Sequence, residues 1–242
     1  MLRKELLRFA GICLAVLGGA SGLEAQMMQI PNLRGAPFQA VNSVTVTDSK
    51  GMVHPVTQKV ARDSSGSTYQ ELHQLDTDEL QQIFILDVVS KRSIRLDTVK
   101  KYYFIQELPS LTAHDQTTSV AEQIKQALEI KPTHHEAGGI SADVQPLGKK
   151  EVEGLVVLGE LKTNRSTGSA EATVDSSIEK WTSPDLQIAL RFRARDGVAK
   201  TEVVDSLSQI QRSAPDPSLF MIPADYVPDP AFVAHPAAPA KK

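Results

Sequence analysis

Thr133-His134-His135-Glu136 is the stretch of this chain best equipped for metal chemistry. Imidazole and carboxylate are ordinary ligands for zinc or nickel, which makes His134, His135 and Glu136 the candidate ligands. Their spacing argues against the role. Adjacent histidines on a strand point to opposite faces, and the H-x-x-x-H spacing that puts two ligands on one helical face is absent. His54, His73 and His114 would have to converge from elsewhere in the chain. A solvated loop is the plainer reading, so neither a metal nor a cofactor is expected. Acid–base catalysis needs two carboxyls brought together with separated pKa values. Asp87 and Asp97 instead each close an apolar stretch, and read as turn residues whose side chains bond nearby amides. There is no G-x-S-x-G elbow and no glycine-rich phosphate loop. Asn164-Arg165-Ser166 matches a glycosylation acceptor of a kind common by chance. No catalytic residue is assigned, and the chain reads as non-enzymatic. A hydrolase whose residues meet only in three dimensions is the alternative.

Residues 1–25 have the organisation of a secretory signal. Arg3, Lys4 and Arg8 precede an apolar run from Phe9 to Ala20, too short to span a bilayer, and Leu23-Glu24-Ala25 offers a cleavage site. The expected address is therefore the periplasm or the extracellular space, with no integral membrane segment after cleavage. Cys13 is the one cysteine and lies inside that run, so the mature chain would hold no disulfide and no thiolate chemistry. Cleavage leaves 23 basic against 27 acidic residues, a net charge of −4, which argues against nucleic acid as a partner.

Past an irregular lead-in over 26–37, hydrophobic periodicity turns to two. Phe38, Ala40, Val44 and Val46 share one face of FQAVNSVTV, and Leu186, Ile188, Leu190, Phe192 and Ala194 alternate with polar partners further on. Extended segments also fall at Val53–Arg62, Ile83–Asp87, Ser93–Asp97, Tyr102–Leu108, Val152–Thr163 and Glu202–Ile210, with short connections that predict an antiparallel meander. Between them Ser119-Val120-Ala121-Glu122 has capping-box form, and Val120, Ile124, Ala127 and Leu128 make one helical stripe, predicting a helix over 119–130. Lys131 to Pro146 reads as a loop, and 227–242, rich in Pro and Ala, as a disordered tail. Arg191, Arg193 and Arg195 form a basic stripe. It reads as a solvated outer face, with anionic headgroups or a carboxylate-bearing partner as the functional alternative. Trp181 reads as a core anchor. Two related phrases, ARDSSGST (61–68) and ARDGVAKT (194–201), follow extended segments and read as hairpin reversals.

ARDSSGSTYQE, Leu86-Asp87 and Leu96-Asp97, LGKKEVEGL, EKWTSPDLQ and RSAPDPSLFMIPADY, in this order, resemble a family of uncharacterised bacterial secreted proteins. The resemblance covers roughly 38–108 and 147–226. Ser67 and Gln70 stand where that family carries arginines, and it brings no established activity. More distantly, the pattern resembles the periplasmic lipoprotein-carrier superfamily, which implies a curved, half-open antiparallel sheet holding acyl chains. The expected fold class is mainly β with minor α: a curved antiparallel meander or half-open barrel-like sheet, one capping helix, and one domain over 38–226. The expected function is an exported, non-catalytic envelope or binding protein. The alternative is a periplasmic carrier whose partner is lipid or a lipoprotein acyl chain.

Overall fold

The computed structural model describes residues 30–137, 139–166 and 174–233. The signal over 1–25 and residues 234–242 lie outside them. The described strands join in one open sheet. β1 (Phe38–Thr47), β2 (Val53–Arg62), β3 (Thr68–His73), β4 (Leu80–Asp87), β5 (Arg92–Asp97) and β6 (Tyr102–Glu107) form one meander. β7 (Thr133–Ala137), β8 (Ile140–Val152), β9 (Leu155–Ser166), β10 (Val174–Ser183), β11 (Ile188–Asp196) and β12 (Thr201–Gln211) form another. The first strand of one pairs with the last strand of the other, β1 with β12, so the order runs β6 to β1, then β12 to β7. Every pair among these is antiparallel.

The sheet is bent, as its contacts require. β2 and β11 stand three strands apart, roughly 14 Å if the sheet were flat. Yet Arg62 Nη2, at the end of β2, donates to Leu186 O, just before β11, at 2.9 Å. Gln209 N on β12 likewise reaches Glu153 Oε2 in the β8–β9 turn at 3.2 Å. Register shifts at Gln39/Val41, Leu72/His73, Pro146/Gly148 and Trp181/Thr182 supply bulges that increase local twist.

Two apolar cores lie on this one sheet. Phe38, Ala40, Val60, Val157, Trp181 and Leu190 belong to the larger, drawn from β1, β2 and the second meander. Ala61, Tyr69, Ile85, Ile94 and Leu96 belong to the smaller, closed by Leu219, Phe220, Ile222 and Tyr226 of the C-terminal segment. Val60 and Ala61 are successive residues of β2 and point to opposite faces, so the cores lie on opposite sides of that strand.

Two expectations are corrected. Residues 133–137 and 140–146 are not loop but the β7–β8 hairpin. β7 is polar and exposed throughout, which gives no apolar period, whereas β8 does alternate, with Ile140, Ala142 and Val144 on one side, a pattern masked by the glycines before it and by Pro146, which sits at a bulge where no donor is required. The stretch from 227 does not begin as a tail. Val227–Pro228 (β13) pairs in parallel with β6, with Val227 N on Lys101 O at 3.0 Å and Asp229 N on Tyr103 O at 2.9 Å, and Pro230–Val233 forms a helical turn. An edge strand tolerates the donor that Pro228 lacks.

Candidate functional site

β6 and β7 lie at opposite sides of the sheet, so residues 108–132 must cross from one to the other. His114 bridges to Leu33, Gln116 Nε2 donates to Pro184 O at 3.1 Å, and α1 (Val120–Glu129) comes to rest on β8. Ser119 caps α1 by accepting from Glu122 N at 3.2 Å. The reciprocal half of the expected capping box is replaced: Glu122 Oε1 accepts from Gln126 Nε2 at 3.1 Å, and Gln123 Nε2 donates to Thr118 O at 2.8 Å. Ile130 leaves the helix in an extended conformation, and Lys131 precedes Pro132, a position that disfavours helical backbone.

No residue of α1 is buried. Ala127 and the following Ile130 stand over a cleft, while Val120 and Ile124 are half-buried. One cavity of about 410 Å³ lies beside the start of the helix, between Thr118 and Gln123 above and Leu158, Thr182, Ser183 and Gln187 below. A second, of about 190 Å³, lies under Ala127 and Ile130, against Val144, Pro146, Glu160 and Lys180. Both touch Leu158 and Thr182, and the two cavities adjoin there. Register explains the floor: Pro146, Glu160 and Lys180 are successive cross-strand partners on β8, β9 and β10. Gly159 is also obligatory there. A Cβ on it would lie 2.6 Å from the Trp181 ring and 2.8 Å from Leu147 Cβ.

The lining offers apolar contact, hydroxyl and amide hydrogen bonds, and one carboxylate with two nearby ammonium groups. Glu160 Oε1 lies 3.1 Å from Lys162 Nζ. No histidine lines either cavity.

The histidines singled out in the sequence are elsewhere. His134 and Glu136 share one side of β7, with His134 Nδ1 at 2.5 Å from Asp143 Oδ1 and Nε2 at 3.4 Å from Glu136 Oε1. Asp143 also pairs with Arg165. Hydrogen bonds to Asp143 and Glu136 raise the imidazole pKa of His134. His135 lies between them in the strand and turns to the opposite side, so the candidate ligands do not come together. His54 and His73 are held by their own carboxylates, Asp76 and Asp48 for the first and Glu71 and Asp78 for the second. Among the described residues, no group of three or more histidine, cysteine, aspartate or glutamate side chains could hold a metal. Asp87 and Asp97 are turn residues at opposite ends of β4–β5: Asp87 Oδ1 accepts from Ser90 N at 2.9 Å, and Asp97 Oδ1 from Lys100 N at 2.8 Å. Arg193 and Arg195 both pair with Glu202 on an exposed face.

The sequence carries no mark of the cleft, because its walls come from four elements with no shared motif. The one local signal is the helical stripe at 120–128, apolar beyond what a cap for a small core requires.

No protein-family model matches the chain, and no curated protein is significantly similar to it. Solved structures show weak likeness. An uncharacterised conserved protein from Thermus thermophilus aligns at 12% identity over 79% of this chain and 88% of its own, with a TM-score of 0.44. A LolA-superfamily protein from Nitrosomonas europaea aligns at 8% identity over 77% and 90%, with a TM-score of 0.39. The Mycobacterium tuberculosis lipoprotein LppX aligns at 11% identity over 73% and 88%, with a TM-score of 0.34. No ligand or activity of this chain follows from likeness at that level. No helix among the described residues is long and apolar enough to cross a membrane.

Proposed function

We propose that this is an exported binding protein that holds an acyl-bearing molecule between α1 and the floor of β8–β10. The observation that supports it is the seating of α1: an amphipathic helix with no buried residue, standing over adjoining cavities of about 410 and 190 Å³. The larger is within the size range of small-molecule sites. Ala127, Ile130, Val144, Pro146 and Leu158 offer apolar contact for a chain, and the hydroxyls and amides of Thr118, Gln123, Thr182, Ser183 and Gln187 offer hydrogen bonds for a polar head. A helix that gains little from its own packing opens at low cost, which suits a site that must load and release. A carrier needs that property more than catalytic groups. A hydrolase would require a base beside Thr182 or Ser183, and Glu160, the carboxylate of the lining, is engaged by Lys162.

The test is native mass spectrometry of the protein purified from its own cell envelope, followed by rebinding of tetradecanoic acid to the stripped protein. Co-purifying lipid and saturable rebinding are expected. Leu158→Trp, which fills the junction of the cavities, should reduce rebinding at least about tenfold. A protein that carries no lipid and binds no acyl chain would end this reading.

A further inference from the structure

Three hairpin tips at one end of the sheet share a construction that neither the cores nor the cleft uses. In each, an aspartate at the end of a strand accepts backbone N–H groups of the turn. Asp48 Oδ1 takes Lys50 N at 2.8 Å and Met52 N at 2.9 Å. Asp97 Oδ1 takes Val99 N at 3.1 Å and Lys100 N at 2.8 Å. Asp196 Oδ1 takes Val198 N at 2.9 Å and Ala199 N at 2.8 Å. One oxygen of each carboxylate is thereby turned into its loop, while Asp97 Oδ2 lies 3.7 Å from Lys100 Nζ and Asp48 Oδ2 3.8 Å from His54 Nε2. What each tip presents outward is an aliphatic or methionine side chain close to a lysine: Met52 with Lys50, Val99 with Lys100, Val198 with Lys200.

The apolar members are exposed to solvent. Met52 is 52% exposed, Val99 67% and Val198 77%. A single exposed hydrophobe needs no explanation. Nothing in turn chemistry asks for one in each of three tips, where Gly, Asn, Asp or Ser would serve. Register aligns the tips of the central strands: Val53, Thr47, Glu202 and Arg195 form one cross-strand row on β2, β1, β12 and β11. Val53 is itself exposed, and Ile140, opposite Ser166 at the start of β8, continues the same rim. The acidic β3–β4 loop at this end is turned onto His54 and His73 through Asp76 and Asp78. At the other end the β2–β3 and β10–β11 turns bury Ser67 and Leu186, and the arrangement occurs once, at the β4–β5 turn, where Asp87 Oδ1 accepts from Ser90 N at 2.9 Å and Val89 is exposed beside Lys91.

We propose that this rim is a membrane-docking edge, with the aliphatic tips entering the acyl boundary of a bilayer and Lys50, Lys100 and Lys200 meeting anionic lipid phosphates. Aliphatic side chains flanked by lysine match the two layers of a bilayer surface, apolar beneath and anionic above. The lysine stems add apolar length while their ammonium groups stay at headgroup level. The edge stands whether or not the cleft holds an acyl chain.

Vesicle flotation of the full chain tests it, using phosphatidylethanolamine–phosphatidylglycerol vesicles and pure phosphatidylcholine vesicles. Binding that favours the anionic vesicles and weakens with salt is expected. The triple variant Met52→Ser, Val99→Ser, Val198→Ser should partition at least about tenfold more weakly. A second triple variant, Lys50→Gln, Lys100→Gln, Lys200→Gln, should lose the preference for anionic vesicles. These side chains are exposed, so thermal melts of both variants should coincide with wild type. Absence of vesicle binding overturns the proposal. So does binding that survives the serine triple variant, including binding through the apolar N-terminal segment alone.

Discussion

Arg62 is fully buried and has no carboxylate partner among the described residues; three carbonyls hold it instead. Its Nε, Nη1 and Nη2 each donate at 2.9 Å, to Ala36 O, Pro31 O and Leu186 O, and its guanidinium lies 5.1 Å over the Phe38 ring. Burial pushes its pKa down to about 10, which leaves it cationic at neutral pH. Arg62→Met orphans the three acceptors and should cost about 3 kcal/mol or more by urea denaturation. Arg62→Lys should not rescue it, because an ammonium cannot present that planar fork. A lysine variant as stable as wild type would show that charge alone is required. Sequence does not separate Arg62 from Arg195, its counterpart in the second Ala-Arg-Asp phrase, which is exposed beside Glu202. The difference lies in Leu186, distant in the chain. Asp205 is a second buried surprise. Its Oδ1 and both amide atoms of Asn42 lack hydrogen-bond partners among the described residues. Burial pushes its carboxyl up to about 7, opposed in part by the neighbouring Asn42 amide. Between roughly pH 4 and 7 the folded protein therefore keeps a proton that the unfolded chain has released. This group makes stability fall as pH rises through that window, by up to about 1.4 kcal/mol per pH unit, and leaves it low above. Asp205→Asn should remove that component. Equal losses between pH 5 and pH 8.5 in variant and wild type would refute the assignment.

At the level of elements, what can be read from sequence follows what each strand buries. β1 and β11 each set one apolar face against polar neighbours and are legible directly; β7 is polar and exposed throughout and looks like loop, and the short alternation of Ile140, Ala142 and Val144 in β8 is hidden between glycines and Pro146. α1 is visible from its serine cap and apolar stripe, but its looseness is not, since that depends on what lies beneath it. Its stability should consequently be local. Amides of Val120–Glu129 should exchange with solvent well before those of β1 and β12, and Ser119→Ala should speed them about fivefold, the equivalent of about 1 kcal/mol of capping. An acyl ligand in the cleft should slow the same amides. Exchange in step with the central strands would mean that α1 is no lid. The floor should behave oppositely. Gly159→Ala forces a methyl group against the Trp181 ring and Leu147, and should cost about 1–3 kcal/mol in thermal or urea unfolding.

For the whole molecule, the decisive fact is one that no local pattern encodes: β1 pairs with β12 and joins two meanders edge to edge. The sequence predicts an antiparallel meander and, through its family resemblance, a curved sheet. It does not predict that residues 108–132 must then cross the sheet, and it is this crossing that brings α1 over β8 and creates the cleft. The phrases that carry the resemblance also take on a physical role here. Arg62 of the first meets Leu186 of WTSPDLQ, and SLFMIPADY closes the smaller core, with Phe220 edge-on to Tyr69 at 6.5 Å between ring centroids. They mark packing rather than chemistry. The two cores are separate clusters on opposite faces, which on its own would allow the halves to melt independently. β2 argues against that. Its last three residues, Val60, Ala61 and Arg62, are all buried, Val60 in one core and Ala61 in the other, while Arg62 is tied to the β10–β11 turn. Loss of either core exposes a strand that the other needs. Leu190→Ala in the larger core should cost about 3 kcal/mol and Phe220→Ala in the smaller about 2 kcal/mol. Each should shift one shared transition, seen alike by Trp181 fluorescence, which reports the larger core, and by far-ultraviolet circular dichroism. If Phe220→Ala instead splits the melt, with Trp181 fluorescence unchanged in the first step, the halves are energetically independent and β2 does not couple them.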